Sequence, residues 1–367
     1  MLLFVDLTFA QSRGGVQALD TGVGVQHRDW CRQRGDLVRY TVVCSMRNEG
    51  PFIVEWVTWY RMLGFTDIVV VTNDCTDHSP QLLDALAAAG WVTHLVRDVP
   101  DARRICAVKL DAAKALPQVA GADWVMVCDV DEFLVIHLGD GRIGDLIGSV
   151  TPGFLGMSIS WRVFGTGGAQ TWQDGLTHRQ FTRAAPLRHG LASWIKSIHA
   201  HPGWFWRLGE HGPKNLRARH ADAWGKPGMR WVNADGVDVD EWQPRGAYLR
   251  WLRPDLRSWA SAQINHYMLR SVESFGLKRG TLSSVAGVDR YTDKYFTNCN
   301  RNEEEDLSAL RHAAEFDALH AQAMALPGVA RLHHLCCADY VARLAEKAGR
   351  DVADDPRWHY HAAQADG

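Results

Sequence analysis

The run Asp129-Val130-Asp131-Glu132-Phe133 places three carboxylates within four residues. Before it stands Trp124-Val125-Met126-Val127-Cys128, patterned as a buried strand, and after it Phe133-Leu134-Val135-Ile136 continues as an apolar run. A solvated acidic turn does not fit between two core segments. Like charges crowded beside a low-dielectric interior raise one another's pKa unless a cation neutralises them. Hard oxygen ligands suit Mg2+ or Mn2+, which typically bridge carboxylates and substrate phosphates. The spacing therefore predicts a divalent metal on this run. Glu132 is available as a catalytic base or as an organiser of the ligands beside it.

The preceding hundred residues explain how such a run would be positioned. Tyr40 to Cys44 reads as a buried parallel strand, and Ile53, Trp56, Val57, Tyr60 and Leu63 recur at helical spacing. Asp67 to Thr72 is a second strand, Ser79-Pro80 opens a second helix that ends at Gly90, and Trp91 to Val96 is a third strand. A helix over about 104 to 116 leads to the fourth strand. This alternation predicts a Rossmann-like, doubly wound α/β sheet. Ligands of such sheets bind at the carboxyl ends of the strands. Those ends carry Ser45-Met46-Arg47-Asn48-Glu49, Asn73-Asp74, Arg97-Asp98 and the acidic run. In one loop alone, Asn73, Asp74 and Asp77 would read as turn formers and helix caps. Four such loops on one edge favour a ligand site. No Gly-x-Gly-x-x-Gly follows the first strand and no Gly-Lys-Ser/Thr is present, so dinucleotide and P-loop sites lose their main support.

From about 150 to 260 the chain turns to short strands with many Gly and Trp, read as an irregular α+β extension lying against the first sheet. The basic stretch from Arg179 to Arg219 reads mostly as solvated surface. Within it, Trp194 to Ile198 is strand-like and would carry Lys196 towards a bound ligand. Helical pattern returns from Glu303 to about Lys347, and the last twenty residues read as frayed. The expected division is a loose lead-in over 1–38, a catalytic domain over 39–300 with halves 39–150 and 151–300, and a helical extension over 301–367.

The formal net charge of −2 argues against a nucleic-acid partner. None of the eight cysteines forms a Cys-x-x-Cys pair. Cys336 and Cys337, with His333 and His334 nearby, raise a metal or redox reading, but small buried hydrophobes on a C-terminal helix is the preferred one. The start of the chain is a poor signal peptide, and no stretch reaches the roughly 20 apolar residues of a membrane span. A cytoplasmic protein is expected, with peripheral association at the inner face of the membrane left open. Of the sixteen tryptophans, ten cluster between Trp161 and Trp259, where some would line a groove for a sugar ring.

The chain resembles glycosyltransferases of the GT-A fold, in the family 2-like group with an Asp-x-Asp-Glu-Phe motif. The matching segments are Arg47-Asn48-Glu49, Glu55-Trp56 with Tyr60, Leu63-Gly64, Asn73 to Asp77, Ala122-Asp123-Trp124 with the acidic run, Asn265-His266-Tyr267, Arg270-Ser271, and Phe275 with Lys278-Arg279-Gly280. The resemblance covers about Thr41 to Gly280. It implies a mixed, mainly parallel sheet flanked by helices, with an acceptor half and C-terminal helices beyond the nucleotide-sugar half. It places Ser45, Arg47, Glu49 and Asp74 beside the nucleotide and Asp129 and Asp131 on ribose and metal. His266 becomes a further metal ligand, although a lone histidine usually belongs to the core, and Lys278 and Arg279 lie beside the diphosphate. The implied donor is a UDP- or GDP-linked sugar and the acceptor a hydroxyl, as on a glycan of the cell envelope. Asp174, Glu210 and Asp222 stand beside Glu132 as alternative bases. A metal-dependent nucleotidyl- or phosphotransferase would require a phosphate-cradling Gly loop or a second carboxylate cluster. A non-catalytic carbohydrate-binding protein would leave the acidic run unexplained.

Overall fold

The computed structural model describes residues 37–100, 105–281 and 288–366, so nearly all of the expected 1–38 lead-in lies outside the described residues. Nine strands form the main sheet: β1 (Tyr40–Met46), β2 (Asp67–Thr72), β3 (Thr93–Val96), β4 (Trp124–Val127), β5 (Glu132–Ile136), β6 (Gly156–Val163), β7 (Ile195–Ala200), β8 (Trp231–Asn233) and β9 (Ala262–His266). Their order is β3-β2-β1-β4-β7-β6-β9-β5, with β8 also paired to β6. Only β7 and β5 run against the rest. The result is the mixed, mainly parallel α/β sheet flanked by helices that the resemblance implied.

Both faces of the sheet are covered, which is why its strands read as unbroken apolar runs. Val42, Cys44 and Val70 point into one core with helix α1 (Gly50–Met62), whereas Val43, Val69 and Val71 point into a second core with Leu110 and Ala113 of α3 (Ile105–Lys114). Helix α2 (Ser79–Ala88) joins the first core through Leu82, Leu83 and Leu86.

The 150–260 region departs from the expected layer against the sheet. Its strands β6 and β7 belong to the sheet itself, and β6 pairs with β7 along one edge while β8 and then β9 share its other edge. Ser158, Ile159 and Ser160 pair with β7, while Trp161 to Val163 pair with β9. A flat sheet would separate β4 from β5 by four strand spacings of about 4.8 Å each. The chain makes that crossing in a turn closed by Glu132 N donating to Asp129 O at 3.0 Å, so the sheet curls to bring β5 back.

Beyond β9 come α4 (Val272–Lys278), α5 (Asp293–Cys299), α6 (Ala313–Met324), α7 (Val329–Ala348) and α8 (Pro356–Asp366). Helix α7 buries Cys336, Cys337 and Val341 in the same core as α1. The approach is close enough that a Cβ on Gly50 would collide with Cys336. The chain end expected to fray forms α8, with His361 and Ala365 buried. Its anchor is Arg357, whose guanidinium donates to Glu273 at 2.8 Å, to Asp355 at 2.7 Å and to Trp172 O at 2.7 Å. Polar composition alone concealed those partners, which lie far away in sequence. Among the described residues, no helix is long and apolar enough to cross a membrane.

Candidate active site at the carboxyl edge of the sheet

The ends of β1, β4 and β9 meet the beginnings of β5 and β7 at one edge, because the last two run the opposite way. Asp129, Asp131, Glu132, Lys196 and His266 are thereby brought together from four strands. Helix α1 fixes the acidic turn from below: Trp56 Nε1 donates to Asp129 O at 3.0 Å and Tyr60 OH to Glu132 O at 3.2 Å. Tyr267 N donates to Asp131 O at 2.8 Å, tying the turn to the chain after β9.

Two lysines of the chain supply much of the neutralising charge the sequence had assigned to a metal. Lys196, fully buried, lies 2.9 Å from Asp129 Oδ2 and 2.8 Å from Glu132 Oε2. Burial disfavours its charge, but the two carboxylates outweigh burial and hold the ammonium well above the usual lysine range. Lys278, at the end of α4, lies 3.2 Å from Asp131 Oδ2. Burial pushes the Asp131 carboxyl up, yet Lys278 and His266 outweigh it and hold it well below the usual range. At Glu132 the balance reverses, and burial lifts the carboxyl to about 7.

Glu132 is turned away from solvent. One oxygen accepts from Asp129 N at 2.9 Å. The other, Oε1, stands 3.7 Å from His266 Nδ1, and neither of these buried atoms has a hydrogen-bond partner among the described residues. On the far side of the ring, His266 Nε2 faces Asp131 Oδ1 at 3.5 Å. A carboxylate behind an imidazole whose other nitrogen faces a second carboxylate is the usual surrounding of a metal-ligating histidine. Asp131 and His266 therefore fit one cation between them. Asp129 Oδ2 is instead engaged by Lys196 at 2.9 Å.

The edge opens into a cleft of about 700 Å³ lined by Ser45, Arg47, Glu49, Asp129, Asp131, His266 and Lys278 among others. Asn73 lines it, whereas Asp74 sits behind, its carboxylate accepting from Asn73 Nδ2 at 2.8 Å and its carbonyl from Arg47 Nε at 3.2 Å. Lys196 lies beneath Asp129. Of the alternative bases, Glu210 reaches the cleft, and Asp174 sits apart against α7 and α8. Arg279 turns outward to Asp293. Asn48, Asp74 and Arg270 adopt left-handed backbone angles, with φ of 56°, 44° and 56°. Such strain in non-glycine residues collects where a site requires a fixed geometry.

Several groups of the cleft were given no individual role from the sequence. Arg270 lies over the Phe52 ring at 3.4 Å and reaches Glu49 at 3.4 Å. Trp161 stacks on Trp194 with centroids 5.6 Å apart, and it meets the His266 ring in a T-shaped contact at 4.3 Å. His211 lies against both indoles and contacts Ile195 O through Nδ1 at 2.8 Å. Burial holds its pKa down at about 4, so the ring is neutral at pH 7. Tryptophan density was the available signal, but not which of them would meet.

No protein-family model and no curated protein matches the chain. Among solved structures it is similar to residues 1–349 of S. aureus TarS, at 11% identity and a TM-score of 0.30. The same TarS segment in complex with UDP gives 12% and 0.32, and in complex with UDP-GlcNAc 12% and 0.29. Each covers 89% of this chain and 88% of the other. Likeness at that level carries no functional weight, and the chemistry has to come from this chain's own residues.

Proposed function

We propose that the protein is a glycosyltransferase that moves a sugar from a nucleoside-diphosphate donor to a hydroxyl acceptor. The carrying observation is the charge of the cleft. Arg250, Arg270, Lys278, Arg290 and Arg343 from the second half of the chain, with Arg47 and Lys109 from the first, face Glu49, Asp129, Asp131 and Glu210. Among the described residues, seven cations against four anions make a positive pocket in a chain whose net charge is −2. Such a pocket concentrates an anionic ligand. A nucleoside diphosphate matches its charge, and the carboxylates at its floor suit a ribose and a cation.

In this reading Ser45, Arg47, Glu49 and Asn73 surround the nucleoside, and Asp74 holds Asn73 in place. Lys278 and the arginines neutralise the departing diphosphate. Asp131 and His266 would hold a Mn2+ or Mg2+ ion, which supplies further positive charge to that leaving group. With only two protein ligands, the ion would take the rest of its shell from the diphosphate and water. Lys196 and Glu132 are positioning residues that keep the acidic turn in register. Trp161 and Trp194 offer flat faces to the apolar side of a sugar ring, and neutral His211 beside them offers a hydrogen-bond partner to a hydroxyl.

The reading is tested by incubating the full chain with UDP- and GDP-linked sugars, with Mn2+ or Mg2+ and with chelator, and measuring release of the nucleoside diphosphate. Release from at least one donor, reduced by chelator and abolished by Asp131→Asn, is expected. Nucleotidyl transfer would instead release pyrophosphate from a nucleoside triphosphate.

A further inference from the structure

A second group of ligand-type side chains lies outside the cleft, where α7, α8 and the loop after β6 meet. Asp174 comes from the loop, His333 and Cys337 from successive turns of α7, and His361 from α8. One ligand atom each of Asp174, Cys337 and His361 lies within 4.8 Å of the others. Cys337 Sγ is 3.6 Å from His333 Nε2 and 4.0 Å from Asp174 Oδ1. Asp174 Oδ1 is 3.8 Å from His333 Nε2, and Oδ2 is 4.0 Å from His361 Nε2.

Two of these contacts, from Cys337 Sγ to His333 Nε2 and to Asp174 Oδ1, are within reach of weak sulfur hydrogen bonds, so the weight falls on the imidazole–carboxylate separations. If the cluster were only an ion-pair and hydrogen-bond network, its imidazole nitrogens would sit about 2.7–3.2 Å from the carboxylate oxygens. They stand farther off. Ligands of a tetrahedral zinc ion, with Zn–S about 2.3 Å and Zn–N or Zn–O about 2.0–2.2 Å, place their atoms roughly 3.3–3.6 Å apart. The four separations of 3.6–4.0 Å need only tenths of an ångström of contraction to meet that, and Cys337 and His361 offer ligand atoms within 4.8 Å of each other. Cys337 and His361 are almost wholly buried, at 0% and 1% exposure, while Asp174 keeps an open side as an entry path. The outer contacts fit as well. His361 Nδ1 lies 3.0 Å from His334 Nδ1, which fixes the ring and leaves Nε2 facing Asp174. Orientation of a ligating imidazole through its other nitrogen is a regular feature of metal sites.

We infer that Asp174, Cys337, His361 and His333 form a zinc site, separate from the cleft, that clasps α7 and α8 to the loop after β6. A thiolate, two imidazoles and one carboxylate select Zn2+ over the Mg2+ or Mn2+ expected at the acidic turn. Binding converts the Cys337 thiol to thiolate and releases its proton to solvent. The ion bridges three segments distant in sequence, so its role is to hold the C-terminal helices in place.

The test uses the full chain, stripped with chelator and titrated with Zn2+ alone, then with Co2+ as a spectroscopic probe. One equivalent of zinc is expected, with a rise in thermal midpoint. Co2+ should give a thiolate charge-transfer band and the intense visible bands of a tetrahedral centre. Cys337→Ala and His361→Ala should lose the stoichiometric zinc and the Co2+ bands, whereas Cys336→Ala, one residue away, and Asp131→Asn, in the cleft, should keep both. No zinc bound by the unmodified chain, or Co2+ spectra without thiolate character, would overturn the site. So would zinc retained in the Cys337→Ala/His361→Ala double variant. The wild-type titration and spectrum decide the matter even if a variant fails to fold.

Discussion

Lys196 shows how one buried charge holds an acidic turn together. It has no exposure, and it meets both Asp129 and Glu132. Removing it would strand Glu132 in the core, and breaking a buried pair from one side typically costs about 3–5 kcal/mol. Lys196→Met should lie near the lower end, because Glu132, already lifted to about 7 by burial, can take up a proton. Urea unfolding measures this, and the Lys196→Met/Glu132→Gln double variant should cost less than the two singles added together. Asp131 sits in the opposite situation. Lys278 and His266 favour its ionised form, so Asp131→Asn should lower stability by about 1–3 kcal/mol besides abolishing turnover. An unchanged urea midpoint would show that those contacts contribute nothing to the fold.

At the level of elements, the alternating first half was legible because its period is local. Each strand is an apolar run of four to seven residues ended by polar groups, and α1 declares itself through Trp56, Tyr60 and Leu63. The acidic run was legible for the same reason: carboxylates between two core strands are conspicuous. What could not be read was long-range pairing. That β6 would pair with β7 on one edge and with β8 and β9 on the other, or that Arg357 would reach Glu273 and anchor the last helix, depends on partners far apart in the chain. Lys196 could be nominated for the ligand region, but its partnership with Glu132 emerges only from the antiparallel course of β7. Two consequences follow for the helices. Gly50→Ala should destabilise by about 1–3 kcal/mol, since the new methyl meets Cys336 across the α1–α7 contact. Arg357→Ala should leave the sheet intact while raising amide exchange over residues 356–366. Unchanged protection there would mean that packing alone holds α8.

Taken as a whole, the molecule stores part of its stability in carboxylates with depressed pKa values. Burial opposes ionisation of Glu210, Glu273 and Asp306. Hydrogen bonds and cations such as Lys214 and Arg357 outweigh it, with Glu210 brought down to about 2. A carboxyl whose folded pKa lies below its unfolded value near 4 stabilises the native state above that value. The contribution is lost as pH falls towards the folded pKa. The urea midpoint should therefore drop between about pH 4 and 2. Between about pH 7 and 5, Glu132, lifted to about 7, and His211, held down at about 4, act on it in opposite directions.

The positive cleft over the acidic turn is the feature on which the functional account stands, and equilibrium titration with UDP and GDP, with and without Mn2+, tests it most directly. Saturable 1:1 binding of at least one nucleoside diphosphate is predicted. It should tighten when Mn2+ is present and weaken by about tenfold or more, some 1.4 kcal/mol, in Lys278→Ala. A wild-type chain that binds neither diphosphate, or binds one equally well with Lys278 removed and no metal present, would contradict the account.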